Sequence, residues 1–153
     1  MVKEASVQGF SLIEVMITLM VIAVGLLGIA GLQLAGIRYT HQANLRYQAA
    51  LQANNMAERI SANGAGVALG AYNRISGLAT DPGCSQTTCT PAQIAQLDTY
   101  EWNSRNAAVL PSGMGRVNGN GNHSLFTITI TWIEMGAKGS SPVQQSYVMN
   151  LQV

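Results

Sequence analysis

From Phe10 to Ile37 the chain is almost wholly apolar, and its one ionisable side chain is Glu14. At about 1.5 Å per helical residue, the run exceeds the roughly 20 residues needed to cross a hydrocarbon core of about 30 Å. Beyond Arg38 the pattern changes without a proline or other break. In RYTHQANLRYQAALQANNMAERISANG, Leu45, Ala49, Ala53, Met56 and Ile60 recur every three to four residues. That spacing predicts an apolar stripe on a helix that continues the first segment, with Asn63 and Gly64 as its stop. Gly25, Gly28, Gly31 and Gly36 lower helix propensity in the apolar run and permit close approach of another helix.

The segment from Gly64 to Cys89 is rich in Gly, Ala, Ser and Thr and predicts a connecting loop. TPAQIAQLDTYEWNSRNAAVLP predicts a second helix: Thr90 is an N-cap, Pro91 fits the first turn, Gln93 completes a capping box and Pro111 ends the segment. Ile94, Leu97, Trp102 and Val109 would lie near one face, with Trp102 in the core. GMGRVNGNGNH predicts a turn and not a phosphate loop, because it leads into a strand and not a helix. HSLFTITITWIEM alternates, with Phe126, Ile128, Ile130 and Trp132 on one face and Thr127, Thr129 and Thr131 on the other. After a turn at GAKGSSP, SYVMNLQV alternates again with Tyr147, Met149, Leu151 and Val153 inward. The predicted class is α+β, a small antiparallel sheet packed on the polar half of a long helix.

Composition sharpens the membrane reading. Charged residues make up 10% of the 153 residues and hydrophobic ones 48%, against roughly 25% charged in soluble globular proteins. The net charge is +1, and the arginines are dispersed along the chain. No basic stripe exists for nucleic-acid phosphates. Cys84 and Cys89 lie close together in the turn-rich DPGCSQTTCTP. In an oxidising compartment they read as one disulfide closing a surface loop, with free thiols or metal ligation as the alternatives. His41, just past the apolar run, and His123, in a glycine-rich turn, have no ligand spacing with them. Asp98 and Glu101 read as solvated carboxylates on a helix face. No catalytic constellation is visible, so neither an enzyme nor a cofactor is expected.

A cleaved secretory signal fits the N-terminal run poorly, since such signals have an uncharged apolar stretch of about 7 to 15 residues. A plain anchor leaves Glu14 unexplained, because an unpaired carboxylate in a spanning helix costs several kcal/mol. The residues themselves carry a more specific pattern. A short polar leader ending in Gly9, then Phe10 and SLIEVMITLMVIAVGLLG, resembles the class III signal of type IV pilins and type II secretion pseudopilins. The resemblance implies cleavage between Gly9 and Phe10 by a prepilin peptidase, N-methylation of Phe10, and a role for Glu14 in subunit assembly. It also implies a cytoplasmic N-terminus, which charge alone leaves open: Lys3 is offset by Glu4, and Arg38 and Arg46 follow the span. Cleavage would create a positive amine at Phe10, and in low dielectric a neighbouring subunit's amine beside Glu14 is favoured over two unpaired charges.

The expected organisation is a leader over residues 1–9, a transmembrane and filament-core helix over 10–37, its amphipathic continuation over 38–63, and a periplasmic α+β head over 64–153. The paired cysteines, Asp98 with Trp102, and ITITWIE are most similar to PilV-type minor pilins. That likeness implies a minor pilin that waits in the inner membrane and then enters an extracellular type IV pilus, supporting twitching motility and attachment. Its implied partners are the prepilin peptidase, other minor pilins, the major pilin and an inner-membrane assembly platform. A type II secretion pseudopilin and a single-pass anchor of a periplasmic binding module are the alternatives.

Overall fold

The structure is a computed structural model that describes residues 9–84, 88–121, 124–136 and 141–153. The leader residues up to Gln8, the middle of the cysteine loop, His123 and the centre of the GAKGSSP turn lie outside the described residues. Helix α1 runs from Leu12 to Ala62. The chain divides between His41 and Gln42 into two compact units, each of which is described by itself.

In the first unit α1 is exposed on every side. Its first turn is closed by the Ser11 carbonyl, which accepts from the Glu14 and Val15 amides at 3.0 and 3.3 Å. The helix is long and apolar enough to cross a membrane, and none of its most apolar window is buried within the chain.

In the second unit the expected stripe is buried: Leu45, Ala49, Ala53, Met56 and Ile60 are at most 7% exposed, and Gln52 and Ala57 join them. The alanines allow close approach, while Met56 and Ile60 supply the apolar volume. Asn63 ends α1 and caps the next helix, its side chain accepting from the Gly66 amide at 3.0 Å. The predicted loop after Gly64 is therefore not featureless. It contains a short helix α2 (Gly64–Ala68) and a strand β1 (Arg74–Ser76). Three-residue strands and one-turn helices fall below the length at which periodicity can be read.

Helix α3 (Pro91–Val109) starts as predicted, with the reciprocal Thr90 and Gln93 capping box and Pro91 in the first turn. Its inward face is rotated from the expected one. Ala95, Asp98, Thr99, Trp102, Asn103 and Asn106 are buried, whereas Ile94 is 38% exposed and Leu97 and Val109 are half-buried. Polar residues occupy this face because nearly all find partners there: the Thr99 hydroxyl donates to the Ala95 carbonyl at 2.8 Å, and Asn103 bonds both backbone groups of Gly115.

The sheet is four-stranded and antiparallel in the order β1-β2-β3-β4, with α3 in the connection between β1 and β2. Strand β2 (Met114–Gly119) occupies what the sequence predicted as a turn. Gly115 is required there: a Cβ would overlap the ring of Trp102, and Asn103 takes the Gly115 amide at 2.7 Å. A glycine in this register marks close approach of a neighbouring element, not a chain reversal. Strand β3 (Leu125–Glu134) buries Phe126, Ile128, Ile130 and Trp132, as its alternation predicts. Glu134 continues that inward face and accepts from the Trp132 indole nitrogen at 2.9 Å. Strand β4 (Val143–Gln152) half-buries Tyr147, Met149 and Leu151, while Val153 lies past its end and is exposed. The inner face of the sheet, the α1 stripe, Ala95 and Trp102 form one core.

Candidate functional site

Two groups of residues carry chemistry beyond packing. The first lies at the start of α1. Phe10 is 86% exposed and precedes the first helical residue, Leu12. Gly9 is also exposed, and a Cβ added to it would meet no atom within 4 Å. The fold therefore gives no steric reason for a glycine at this position. The same holds at Gly25, Gly28, Gly31 and Gly36, where added Cβ atoms meet open space. Glu14 is exposed in the first turn, where a carboxylate is favoured by the amide ends of the helix. Among the described residues, the ion pairs all involve Arg59, and none of them includes Glu14.

The second group is a polar clasp where α1 ends. The Arg59 guanidinium donates through Nη1 to Asp98 at 2.9 Å and to Glu101 at 2.8 Å, and through Nε to Asn55 at 3.0 Å. The Tyr72 hydroxyl, fully buried, donates to the other Asp98 oxygen at 2.5 Å. Asn63 donates to the Tyr72 oxygen and to the Pro91 carbonyl at 3.0 and 2.8 Å. These bonds tie the end of α1, the segment after α2 and the start of α3 together.

Electrostatics follows the geometry. Burial acts to lower the Arg59 pKa, but its bonds to Glu101 and Asp98 outweigh that and raise it above the ordinary guanidinium value. The Tyr72 phenol is raised well above its usual range, first by burial and then by the bond it donates to Asp98. Sequence reasoning treated Asp98 and Glu101 as solvated carboxylates. In the structure Asp98 is 8% exposed and holds the clasp, and Glu101 shares its arginine. The four-residue spacing of Asp98 and Trp102 was the available signal, since it places both on the buried face of α3.

Cys84 and Cys89 form a disulfide with Cα atoms 5.5 Å apart, closing a short loop before α3. Trp102 is 1% exposed and donates its indole hydrogen to the Gln52 carbonyl at 2.8 Å, so it is a core residue joining α3 to α1. His41 is exposed on α1. Among the described residues no group of three metal-ligating side chains exists.

Residues 5–30 match the model of the prokaryotic N-terminal methylation motif, and residues 31–100 match that of the Tt1218-like type IV pilins. No curated protein and no solved structure matches the chain significantly. The chain is pilin-like. The two matches support a pilin or pseudopilin role. The pilin family is structural and not enzymatic. The methylation motif implies processing by a prepilin peptidase and pilus-assembly partners in general, and with the apolar helix it fits a membrane-anchored pilin. The pilin match takes in Arg59, Tyr72 and Asp98, whereas β2, β3 and β4 lie outside both matches. A long N-terminal helix followed by a small antiparallel sheet is consistent with the type IV pilin fold.

Proposed function

We propose that the chain is a minor pilin of a bacterial type IV pilus, of the PilV type, that initiates or modifies pilus assembly. The observation that carries the reading is the methylation-motif match laid over the start of α1, where Gly9 and Phe10 stand clear of the fold. On this reading the peptidase cuts between Gly9 and Phe10 and methylates the new amine. Residues 10–37 anchor the protein in the inner membrane with its N-terminus cytoplasmic, residues 38–63 carry the helix onward, and residues 64–153 form a periplasmic head. Glu14 then receives the Phe10 amine of a neighbouring subunit, and its carboxylate gains in the filament a charged partner that the described residues of the single chain do not supply. Other minor pilins, the major pilin and an inner-membrane assembly platform are the partners, and twitching motility and attachment are the processes served.

Mass spectrometry of the mature protein is the first test. An N-methylated Phe10 terminus is expected, and an intact Met1 or cleavage near Ala35 would rule the class out. Loss of surface pili on deletion, with normal release of secreted proteins, separates the pilus from the secretion role. Glu14→Ala is expected to be processed and inserted normally but to enter pili at a small fraction of the wild-type level. Normal incorporation would remove Glu14 from the assembly role.

A further inference from the structure

We propose that Arg38 and Tyr39 bind phospholipid headgroups where the apolar run ends, and thereby hold Glu14 in the opposite headgroup layer, outside the hydrocarbon. The proposal rests on the membrane-anchored reading above and assigns the depth at which the helix sits. Residues 15–37 contain no ionisable side chain, so Glu14 and Arg38 bracket the uncharged part of the helix. At about 1.5 Å per residue their separation is roughly 36 Å, and a typical tilt of about 20° shortens it to roughly 34 Å. The hydrocarbon core is about 30 Å thick, so both charged groups fit in polar layers at once.

Centring the whole apolar run instead would place Glu14 about 14 Å from the midplane, inside the core, and Arg38 about 22 Å from it. Anchoring at Arg38 places each about 18 Å away. The chemistry at the C-terminal end favours the anchored depth. A guanidinium matches phosphate geometry with paired hydrogen bonds. Tyr39 is 72% exposed, and tyrosine rings settle at the membrane–water boundary with the hydroxyl outward. No carboxylate between residues 15 and 41 competes for Arg38, and among the described residues it enters no ion pair. The threonine hydroxyls near the two edges are satisfied within the helix: Thr18 donates to the Glu14 carbonyl at 2.7 Å and Thr40 to the Gly36 carbonyl at 2.9 Å. Glu14 thus stays hydrated in the single membrane-bound chain, and it meets an apolar environment only when assembly removes it from that layer.

The test uses the full chain in phosphatidylethanolamine and phosphatidylglycerol vesicles in phosphate-free buffer. Single cysteines introduced between residues 20 and 32 are spin-labelled, the native pair being held as a disulfide. Immersion depth is expected to peak at Leu26, midway between Glu14 and Arg38. Solid-state NMR is expected to show guanidinium nitrogen dephased by lipid phosphorus, an effect lost in Arg38→Gln. A peak at Ala23 or Val24, or dephasing unchanged by Arg38→Gln, overturns the proposal while leaving the membrane reading intact. A chain that does not insert overturns the membrane reading itself.

Discussion

Helix α1 contains two apolar patterns with opposite fates. Between Phe10 and Ile37 nearly every residue is apolar, and the large side chains are 48% exposed or more. Between Leu45 and Ile60 one apolar stripe runs at helical spacing and is buried, with Tyr47 and Leu51 exposed outside it. The difference separates two destinations for apolar surface. A stripe of one residue in three or four can be satisfied by a single neighbouring layer, here the sheet and α3. A helix apolar all round needs an apolar surrounding on every side, which the described residues of its own unit do not supply, and this fits a membrane-anchored pilin. The glycines obey the same division. A Cβ added to those in the apolar run would meet no described atom within 4 Å, whereas one at Gly115 would overlap Trp102.

The largest expected effect is therefore on the head side. Trp102→Ala removes a ring that is 1% exposed, fills the gap left by Gly115 and bonds the Gln52 carbonyl. It is expected to destabilise the head by about 3–5 kcal/mol, read by urea unfolding of the full chain in detergent micelles. A loss below about 1 kcal/mol would mean that the core forms without α3.

Much of this division is legible in the sequence, and the reasons are physical. A run without charges and a stripe at helical spacing are strong periodic signals, and the Thr90 to Gln93 capping box has a mechanism that fixes its position. The strand alternation from Phe126 to Trp132 is equally direct. Legibility ends where side chains are selected by partners distant in sequence. Asp98 and Asn103 face inward on α3 because Arg59, Tyr72 and the Gly115 backbone await them, and no local pattern announces those partners. Gly115 reads as a turn former for the same reason. Gly9 and Glu14 are the reverse case: they are conspicuous in sequence, yet among the described residues a Cβ at Gly9 would meet no atom within 4 Å and Glu14 enters no ion pair.

The clasp gives effects of intermediate size. Asp98→Ala leaves the buried Tyr72 hydroxyl without its acceptor and Arg59 with Glu101 and Asn55. The expected loss is about 1–3 kcal/mol. Tyr72→Phe removes a donor and keeps the ring, so about 0.5–1.5 kcal/mol is expected. The Tyr72 phenol also makes stability pH-dependent. Its folded pKa is raised above the unfolded value near 10.0, so the folded state holds this proton more tightly. The contribution is fully present below about pH 10 and is lost as pH rises through the folded value. Wild-type stability is expected to fall on titration above about pH 10, and Tyr72→Phe to flatten that decline. An equally steep alkaline decline in Tyr72→Phe would place the linkage in another group.

The smallest expected effect tests the other half of the comparison. Leu26 is 60% exposed and at the middle of the uncharged run. Leu26→Ala removes as much apolar surface as many core truncations, but from an exposed position in the first unit. The unfolding midpoint of the head in micelles is therefore expected to shift by less than about 0.5 kcal/mol, as for surface substitutions away from structural features. Ile60→Ala in the same helix, where the side chain is fully buried, is expected to cost about 2–5 kcal/mol. Equal losses from the two substitutions would show that the apolar run contributes to the head's own stability. Unequal losses would show that the apolar run does not contribute to the head's own stability.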